Sequence, residues 1–319
     1  MRTEPWIADL FLSKKDCVLS SASYLTSLKG EDATSSLLRT LFLLSAVAGS
    51  AIAELTFVAT ARQGDREIPS SELKFIRTTP RPRHPNLHGG PGQTETGTGE
   101  LGKRDITAYG PSWCGASQQL AAPEQLSSVY GIFSVPNLKL RAGLSAPQNA
   151  AAWVGVDGDS CNRALLQVGV TTLINSNGQQ ITEAWWQWWP SAAYSIPSIP
   201  TAPGDWMAVN ITMTSSTSAS IKMSNTQRGY TMSINVMAGM ALCRTNAAWI
   251  VEDYYDGAGG NNMAGFNDVW FEYTAATTVG GTKLGVDGGV FWNIQNSPGQ
   301  LQCTAQKYDN SNFFVRSVM

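Results

Sequence analysis

The sequence has few histidines and few charged residues, the side chains that many enzymes use in catalysis. Of its 319 residues only two are histidine, and both lie in the first third of the chain. From residue 105 onward there is none, which excludes a Ser-His-Asp triad, a Cys-His dyad and a histidine-ligated metal there. Charged residues make up 14% and the formal net charge is -2, so the chain offers no basic field for nucleic acid.

Long hydrophobic runs are also scarce, because the one such stretch is 37–53. With Arg39 and Thr40 inside it, this run is short for a membrane span. It ends in Ala-Ile-Ala, the small-x-small pattern of a signal-peptidase site. We therefore predict that 1–53 is a leader with a signal peptide, and that the protein is secreted without a membrane anchor. A buried core helix is the alternative.

Residues 54–104 are predicted to be a basic pro-segment. They end in a Gly- and Thr-rich stretch that closes with the dibasic pair Lys103-Arg104, a candidate processing site. The chain before residue 105 has 13 basic and 11 acidic residues, whereas 105–319 has nine basic and 13 acidic. Opposite charge would let the pro-segment bind the domain and leave when carboxylates become protonated.

Residues 105–319 are predicted to form one all-β domain. Val209, Ile211 and Met213 alternate with polar residues, the period of two that is typical of strands. Turn residues separate further strand-like runs at 127–135, 163–174, 230–238, 247–255 and 268–276. We expect two antiparallel sheets packed face to face, a β-sandwich of the concanavalin or jelly-roll kind.

Four cysteines lie in this domain: Cys114, Cys161, Cys243 and Cys303. In a secreted protein an even number favours two disulfides, and three pairings are open. Asn210 begins a glycosylation sequon, which has meaning only if the chain is secreted.

The run 181–190 contains four of the eleven tryptophans. In an extended strand Trp185 and Trp189 would lie on the face opposite to Trp186 and Trp188. We expect one pair to line a groove for a peptide or a sugar, with pure packing as the alternative.

Two polar residues interrupt apolar strands. Gln167 must satisfy its amide locally or point into a cleft. Glu252 lies in the middle of an apolar strand face with Ala248 and Ile250. Burial would raise its pKa, and a positioned carboxylate can activate water. A strand glutamate is otherwise usually exposed.

Several motifs in one order give these segments a family resemblance. They are SVYGIFSVP, AAWVGVDGD-x-C, LLQ-x-GV, E-A-W-W-x-W-W-P, the P-G-D turn at 203–205 and LC-x-TNA-x-WIVED. Together they cover about residues 110–280 and resemble the glutamic peptidases, the eqolisin family of acid proteases from filamentous fungi. The resemblance implies a secreted endopeptidase that acts on peptides and proteins.

The resemblance also implies roles for residues. Gln167 and Glu252 match the catalytic pair: Glu252 would activate the attacking water, and Gln167 would hold that water and stabilise the oxyanion. Cys161 and Cys243 match a family disulfide, which leaves Cys114 and Cys303 as a second pair. Positions near the substrate are matched by Trp153, Asp157, Glu183, Trp185 and Gln187.

The chain departs from the family's D-A-W-Y-E-W-Y-P segment at two of these positions. Glu183 replaces an aspartate and Gln187 replaces a glutamate. Both differences bear on substrate preference and pH optimum rather than on the reaction.

Two other functions remain open from the residues. One is a glycoside hydrolase that pairs Glu252 with Glu183, Asp157 or Asp159. The other is a non-catalytic sandwich that binds a sugar or a peptide. A pepsin-like protease fits poorly, because the chain contains no D-T-G or D-S-G. We expect a monomer that needs no metal and no cofactor.

Overall fold

The computed structural model describes residues 55–79, 105–253, 262–295 and 299–318. The predicted signal peptide at 37–53 and the dibasic pair Lys103-Arg104 lie outside these ranges. Within the ranges no helix is long and apolar enough to cross a bilayer.

The described residues form strands and one short 3-10 helix, Ser70–Glu72. In chain order the strands are β1 (Thr56–Gln63), β2 (Arg66–Ile68), β3 (Ile76–Arg77), β4 (Ile106–Gly110), β5 (Trp113–Gln119), β6 (Leu126–Ser134), β7 (Leu138–Lys139), β8 (Gln148–Asp157), β9 (Leu165–Ile174), β10 (Gln180–Trp189), β11 (Ala193–Ser195), β12 (Trp206–Met213), β13 (Ser218–Asn225), β14 (Tyr230–Met237), β15 (Asn246–Glu252), β16 (Gly265–Phe266), β17 (Val269–Thr278), β18 (Lys283–Leu284), β19 (Val290–Gln295), β20 (Leu301–Lys307) and β21 (Phe313–Ser317).

These strands build two antiparallel layers. The layer that we call the site layer has the order β3, β11, β10, β9, β8, β15, β5, β19. The second layer has the order β1, β14, β13, β12, β6, β17, β21, β20. Pairing of β19 with β20 joins the two layers into one ladder, and β4 runs parallel to β19. The prediction of an all-β protein with two packed antiparallel sheets is confirmed.

Alternation of apolar residues explains the strands of the second layer. In β12 the side chains of Val209 and Ile211 are buried, whereas those of Asn210 and Thr212 are half-buried on the other face. This pattern buries one face of the sheet against the core and leaves the other toward solvent. Asn210, the residue of the sequon, thus lies within a strand and not in a loop.

The central strands of the site layer are buried on both faces. One face of β8, β9, β10 and β15 joins the main core between the layers, which includes Val154, Leu166, Trp186 and Trp249. The opposite face forms a second apolar cluster with Trp113, Trp153, Leu165, Trp185 and Ile250. A polar side chain on this second face therefore sits in apolar surroundings.

Both disulfides expected from the cysteine count are present. One joins Cys114 on β5 to Cys303 on β20 and so ties the two layers together. The other joins Cys161, just after β8, to Cys243, just before β15. The second bridge fixes the ends of two strands that pair in the site layer.

Gly169 gives a test of how tightly the site layer is packed. A Cβ at this position would lie 2.3 Å from the carbonyl oxygen of Ala152 and 2.5 Å from the Cβ of Trp153. These two atoms are part of the backbone or bonded to it and cannot move aside easily. We therefore expect Gly169→Ala to cost about 3 kcal/mol of stability. Calorimetry should show a fall in Tm of roughly 6–12 °C.

The matched control is Gly280→Ala, because the nearest atom to a Cβ there is the hydroxyl of Thr278 at 3.7 Å. It should leave Tm within about 2 °C of the parent. Equal Tm values for the two variants would contradict this account of the packing.

Candidate active site

The Glu252 side chain is held by two tryptophans. The indole N–H of Trp113 donates to its Oε1 at 3.2 Å, and that of Trp153 donates to its Oε2 at 2.8 Å. Glu252 is only 8% exposed. A carboxylate in apolar surroundings needs such donors, and here each oxygen has one. The carboxylate is thereby held in one orientation.

Strand register brings these three residues together. Glu252 on β15 pairs with Trp113 on β5 and with Ala151 on β8, two residues before Trp153. The rings of Trp113 and Trp153 meet edge to face with centroids 5.1 Å apart. Close approach of neighbouring backbones at Gly155 and Gly169 makes room for the Trp153 side chain.

Gln167 is oriented by a second glutamine. It pairs in the ladder with Gln187, and its Nε2 donates to Gln187 Oε1 at 2.9 Å. Gln187 in turn donates from Nε2 to the carbonyl oxygen of Ser191 at 3.0 Å. A backbone carbonyl can only accept, so it fixes which end of Gln187 faces Gln167. Gln167 then keeps one free N–H and a buried Oε1 that has no partner.

Gln167 and Glu252 lie on the same face of the site layer. In the ladder Gln167 pairs with Gly155 of β8, and Glu252 pairs with Ala151 of the same strand. Strand β8 thus runs between them, with Trp153 at the intermediate position. Both side chains therefore belong to the apolar face of the site layer that carries Trp113, Trp153 and Trp185.

The other residues expected near the substrate have hydrogen-bond partners within the site layer. Glu183 accepts a hydrogen bond from Ser195 Oγ at 2.5 Å, and the indole N–H of Trp185 donates to Thr171 Oγ1 at 2.9 Å. Trp185 shares the second apolar cluster with Trp189, on the face expected from the period of two. Of this pair, Trp185 is 1% exposed and Trp189 is half-buried.

Asp157 is fully buried at the end of β8. Its carboxylate accepts backbone N–H bonds from Arg244 and Thr245 at 2.9 Å and from Asn246 at 3.3 Å. Burial raises its pKa, although these hydrogen bonds oppose the shift. Asp157 therefore anchors the turn that leads into β15.

A metal does not fit at Asp157. Its carboxylate lies within 4.8 Å of the sulfurs of Cys161 and Cys243. Those sulfurs are bonded to each other, so neither is a thiolate ligand. Asp159 also has a structural partner, because it accepts a hydrogen bond from Ser117 Oγ at 2.8 Å. These partners disfavour Asp157 and Asp159 as the second carboxylate of a glycosidase.

Comparisons with known proteins agree with this geometry. A model of the peptidase A4 family matches residues 111–317. The chain belongs to the peptidase A4 family. Aspergillopepsin-2 of Aspergillus niger is 32% identical over 222 residues, which cover 63% of this chain and 76% of that protein. Scytalidopepsin B of Scytalidium lignicola is 38% identical over 106 residues, or 32% of this chain and 39% of that protein.

Solved structures give the same result for the peptidase A4 domain. A scytalido-glutamic peptidase with a peptide-based transition-state analogue has a TM-score of 0.55 and 25% sequence identity. The alignment covers 65% of this chain and 98% of that one. The resemblance to the glutamic peptidases that the motifs indicated is confirmed.

Sequence reasoning missed two residues at the candidate site of this peptidase A4 domain. Trp113 was not singled out, and it reaches Glu252 across 139 positions of sequence. Asp253 follows Glu252 directly and is 6% exposed, and its Oδ1 has no hydrogen-bond partner. Trp113 lies beside Cys114 in a short apolar run, and Asp253 completes the WIVED motif, so each had a weak local signal.

Asp253 is held in an environment that favours its protonated form. Burial and the neighbouring charge of Glu252 raise its pKa to about 7, whereas Arg141 opposes the shift. Arg141 is occupied elsewhere, since it donates to the carbonyl oxygens of Met263 and Gln302, each at 3.2 Å. The folded state thus binds a proton at Asp253 more tightly than the unfolded chain does.

This shift predicts how the stability of the peptidase A4 domain depends on pH. The stabilisation from the Asp253 proton is complete below the unfolded pKa of about 4 and is lost as pH rises to about 7. Asp253→Asn is uncharged at every pH, so its Tm should fall less than the parent's over this interval. Calorimetry across that range measures the difference.

Asp309→Asn is the matched control, because Asp309 is exposed and its hydrogen bonds with Asn312 lower its pKa. Its Tm should follow the parent's decline between weak acid and neutral pH. An unchanged slope for Asp253→Asn would refute the assignment of a raised pKa to Asp253.

Proposed function

We propose that this protein is a secreted acid endopeptidase in which Glu252 acts as general base and Gln167 stabilises the water and the oxyanion. The observation that carries the proposal is a buried carboxylate with both oxygens oriented by indole N–H groups. It shares a face with a glutamine whose orientation is fixed. This is a positioned base beside a non-titrating donor, the pair that amide hydrolysis needs.

In the proposed reaction the Glu252 carboxylate takes a proton from a water molecule. The water oxygen attacks the scissile carbonyl carbon, and the carbonyl oxygen becomes an oxyanion. Gln167 donates its free N–H to that oxyanion. Glu252 then passes its proton to the leaving nitrogen, the C–N bond breaks, and an acid and an amine are released. No covalent bond to the enzyme forms.

The absence of histidine from residue 105 onward is consistent with this chemistry. An amide side chain keeps its donors at every pH, so Gln167 works in acid as well as at neutrality. Indole N–H groups do not titrate either, and Trp113 and Trp153 would keep the carboxylate oriented over the same range. Glu252 would thus be the group at this centre whose protonation state changes during turnover.

Secretion and maturation form part of the proposal. Two disulfides fit an oxidising compartment. The run 37–53 would direct secretion, and cutting at Lys103-Arg104 would separate residues 54–104 from the catalytic domain at 105–319. The substrate would be a peptide or a protein, and the enzyme would act as a monomer.

Replacing Glu252 by glutamine should strongly lower the activity. The variant keeps the shape of the side chain but cannot take a proton, so kcat should fall by about 10²–10⁴-fold. Cleavage of a denatured protein is followed from weak acid to neutral pH, with and without pepstatin. We expect the parent to be active in acid and insensitive to pepstatin.

The control is Glu272→Gln, a half-buried glutamate on β17 of the second layer, which should retain the parent's rate. Gln167→Ala should lose about 10²–10³-fold. If both residues act in one step, the double variant should lose little more than Glu252→Gln alone. Activity retained in Glu252→Gln would place the base elsewhere, and additive losses would separate the two roles.

Gln187 offers a sharper test of how Gln167 is positioned. Its amide side chain orients Gln167 through a hydrogen bond and does not titrate. In Gln187→Glu the protonated carboxyl can accept from Gln167 and donate to the carbonyl oxygen of Ser191, as the amide does. The ionised form has no proton to donate to that carbonyl. We therefore expect near-parent kcat at the acid end and a fall of about tenfold toward neutral pH, measured as kcat and KM against pH.

Gln187→Met is the matched variant, since it removes both hydrogen bonds at every pH. Its kcat should be lower than the parent's throughout, with KM little changed and no new pH dependence. A parent-like pH profile for Gln187→Glu would count against Gln187 as a positioning residue. It would leave the result for Glu252 intact.

A further inference from the structure

The described residues before the catalytic domain form edge strands on both layers. Along its whole length β1 pairs with β14, from Thr56 opposite Met237 to Gln63 opposite Tyr230. Strand β3 pairs with β11 at the edge of the site layer. We call residues 55–79 the edge clamp. Its strands supply hydrogen-bond partners to a row of backbone groups that would otherwise form open sheet edges.

The edge clamp also contributes to the core. The ring of Phe57 lies 5.2 Å from that of Trp186 and 5.0 Å from that of Tyr194, measured between centroids, and 4.9 Å from that of Phe75 within the clamp. Trp186 is fully buried. The apolar clamp residues that belong to the main core or pack against it are Leu55, Phe57, Ala59, Ala61, Ile68, Leu73 and Phe75.

This contact lies outside the part of the chain that matches the family. The peptidase A4 match begins at residue 111, so the edge clamp is an addition to the family domain. Residues of the family domain that the clamp covers are buried. They include Trp186 and, on β14, Tyr230 and Val236. In this chain the family domain presents an apolar edge that is completed by residues 55–79.

Charge contributes little to the described contact. The clamp carries seven charged residues, all of them exposed: Arg62, Asp65, Arg66, Glu67, Glu72, Lys74 and Arg77. Of these, Arg66, Glu72 and Lys74 line a cleft with Tyr230. Arg66 and Glu72 pair with each other inside the clamp at 3.1 Å, and both are more than half exposed. An exposed pair of this kind contributes little to stability. A backbone ladder and aromatic contacts do not titrate in acid, so protonation of carboxylates would not release the clamp.

We propose that the edge clamp stays bound as a separate, non-covalent chain after the connection to the catalytic domain is cut. The mature protein then consists of two chains, and residues 55–79 are a permanent part of its fold. This differs from the sequence-based expectation of a basic pro-segment that leaves on acidification. The proposal concerns assembly alone and does not depend on which residues perform hydrolysis.

The test cuts the connection at a chosen place. The full chain carries an inserted recognition site for a sequence-specific protease between residues 90 and 98. After cutting, the protein is passed over a size-exclusion column at neutral pH and in weak acid, and the fractions are weighed by mass spectrometry. We expect both fragments in one peak at either pH, separating only in denaturant. Elution of residues 55–79 apart from a folded catalytic domain, at either pH, would overturn the proposal.

Amide hydrogen exchange gives a second readout on the same cut protein and needs no further variant. Alternate amides of β14 donate to β1, and in the cut protein they should stay as protected as in the uncut chain. Protection lost along Tyr230–Met237, with the rest of the second layer unchanged, would show that the clamp has left and would contradict the proposal.

A pair of variants tests what holds the clamp. Phe57→Ala removes the ring that contacts Trp186 and Tyr194, and it should weaken binding of the cut clamp about tenfold to hundredfold. Thr60→Ala changes an exposed residue of the same strand and should change the binding constant by less than about threefold. Equal effects of the two variants would show that the aromatic contact does not retain the clamp.

Discussion

Strict alternation along a few paired strands is the constraint on which the rest of this structure depends. Strands β10, β9, β8, β15 and β5 lie side by side, and each buries both faces. One face makes the core between the layers, and the other makes the apolar surface that carries Glu252 and Gln167. Because side chains alternate with a period of two, a slip of one residue would exchange these faces. The same register that packs Trp249 inward thus turns Glu252 toward Trp113 and Trp153.

The candidate site relies on donors that do not titrate. Indole N–H groups orient the carboxylate, and a chain of amides from the Ser191 carbonyl through Gln187 orients Gln167. Each of these groups has the same hydrogen-bonding capacity in acid and at neutrality. In such an environment the geometry around a single base can persist while that base gains and loses its proton. Gln187 follows the same rule, because this non-titrating amide replaces the glutamate expected from the family's segment.

The fold and the pair Gln167 and Glu252 could be predicted from local sequence patterns. Contacts between strands far apart in the sequence could not. A polar residue inside an apolar strand singled out Gln167 and Glu252, and their motifs supported a shared site. Trp113 could not be found this way, because its contact with Glu252 depends on β5 lying next to β15. The sequence predicts a basic segment where the edge clamp lies, although Phe57, Ala59 and Ala61 alternate as in a strand. The charged residues around them made this alternation hard to recognise. The strand that pairs with β1 is β14, about 170 residues away along the chain.

Buried carboxylates set the pH range over which this fold is stable, and they act in opposite directions. Asp157 and Asp253 have raised pKa values and so favour the folded state when protonated. Asp205, in the P-G-D turn, behaves differently. Burial opposes its ionisation, but hydrogen bonds from Arg228 and Asn225 lower its pKa overall. Its stabilising effect is present above the unfolded pKa and is lost as pH falls through the lower folded value. Asp268 and Asp309 also have lowered pKa values, so the acid limit of stability depends on these two carboxylates together with Asp205. The decline toward neutrality depends on Asp157 and Asp253.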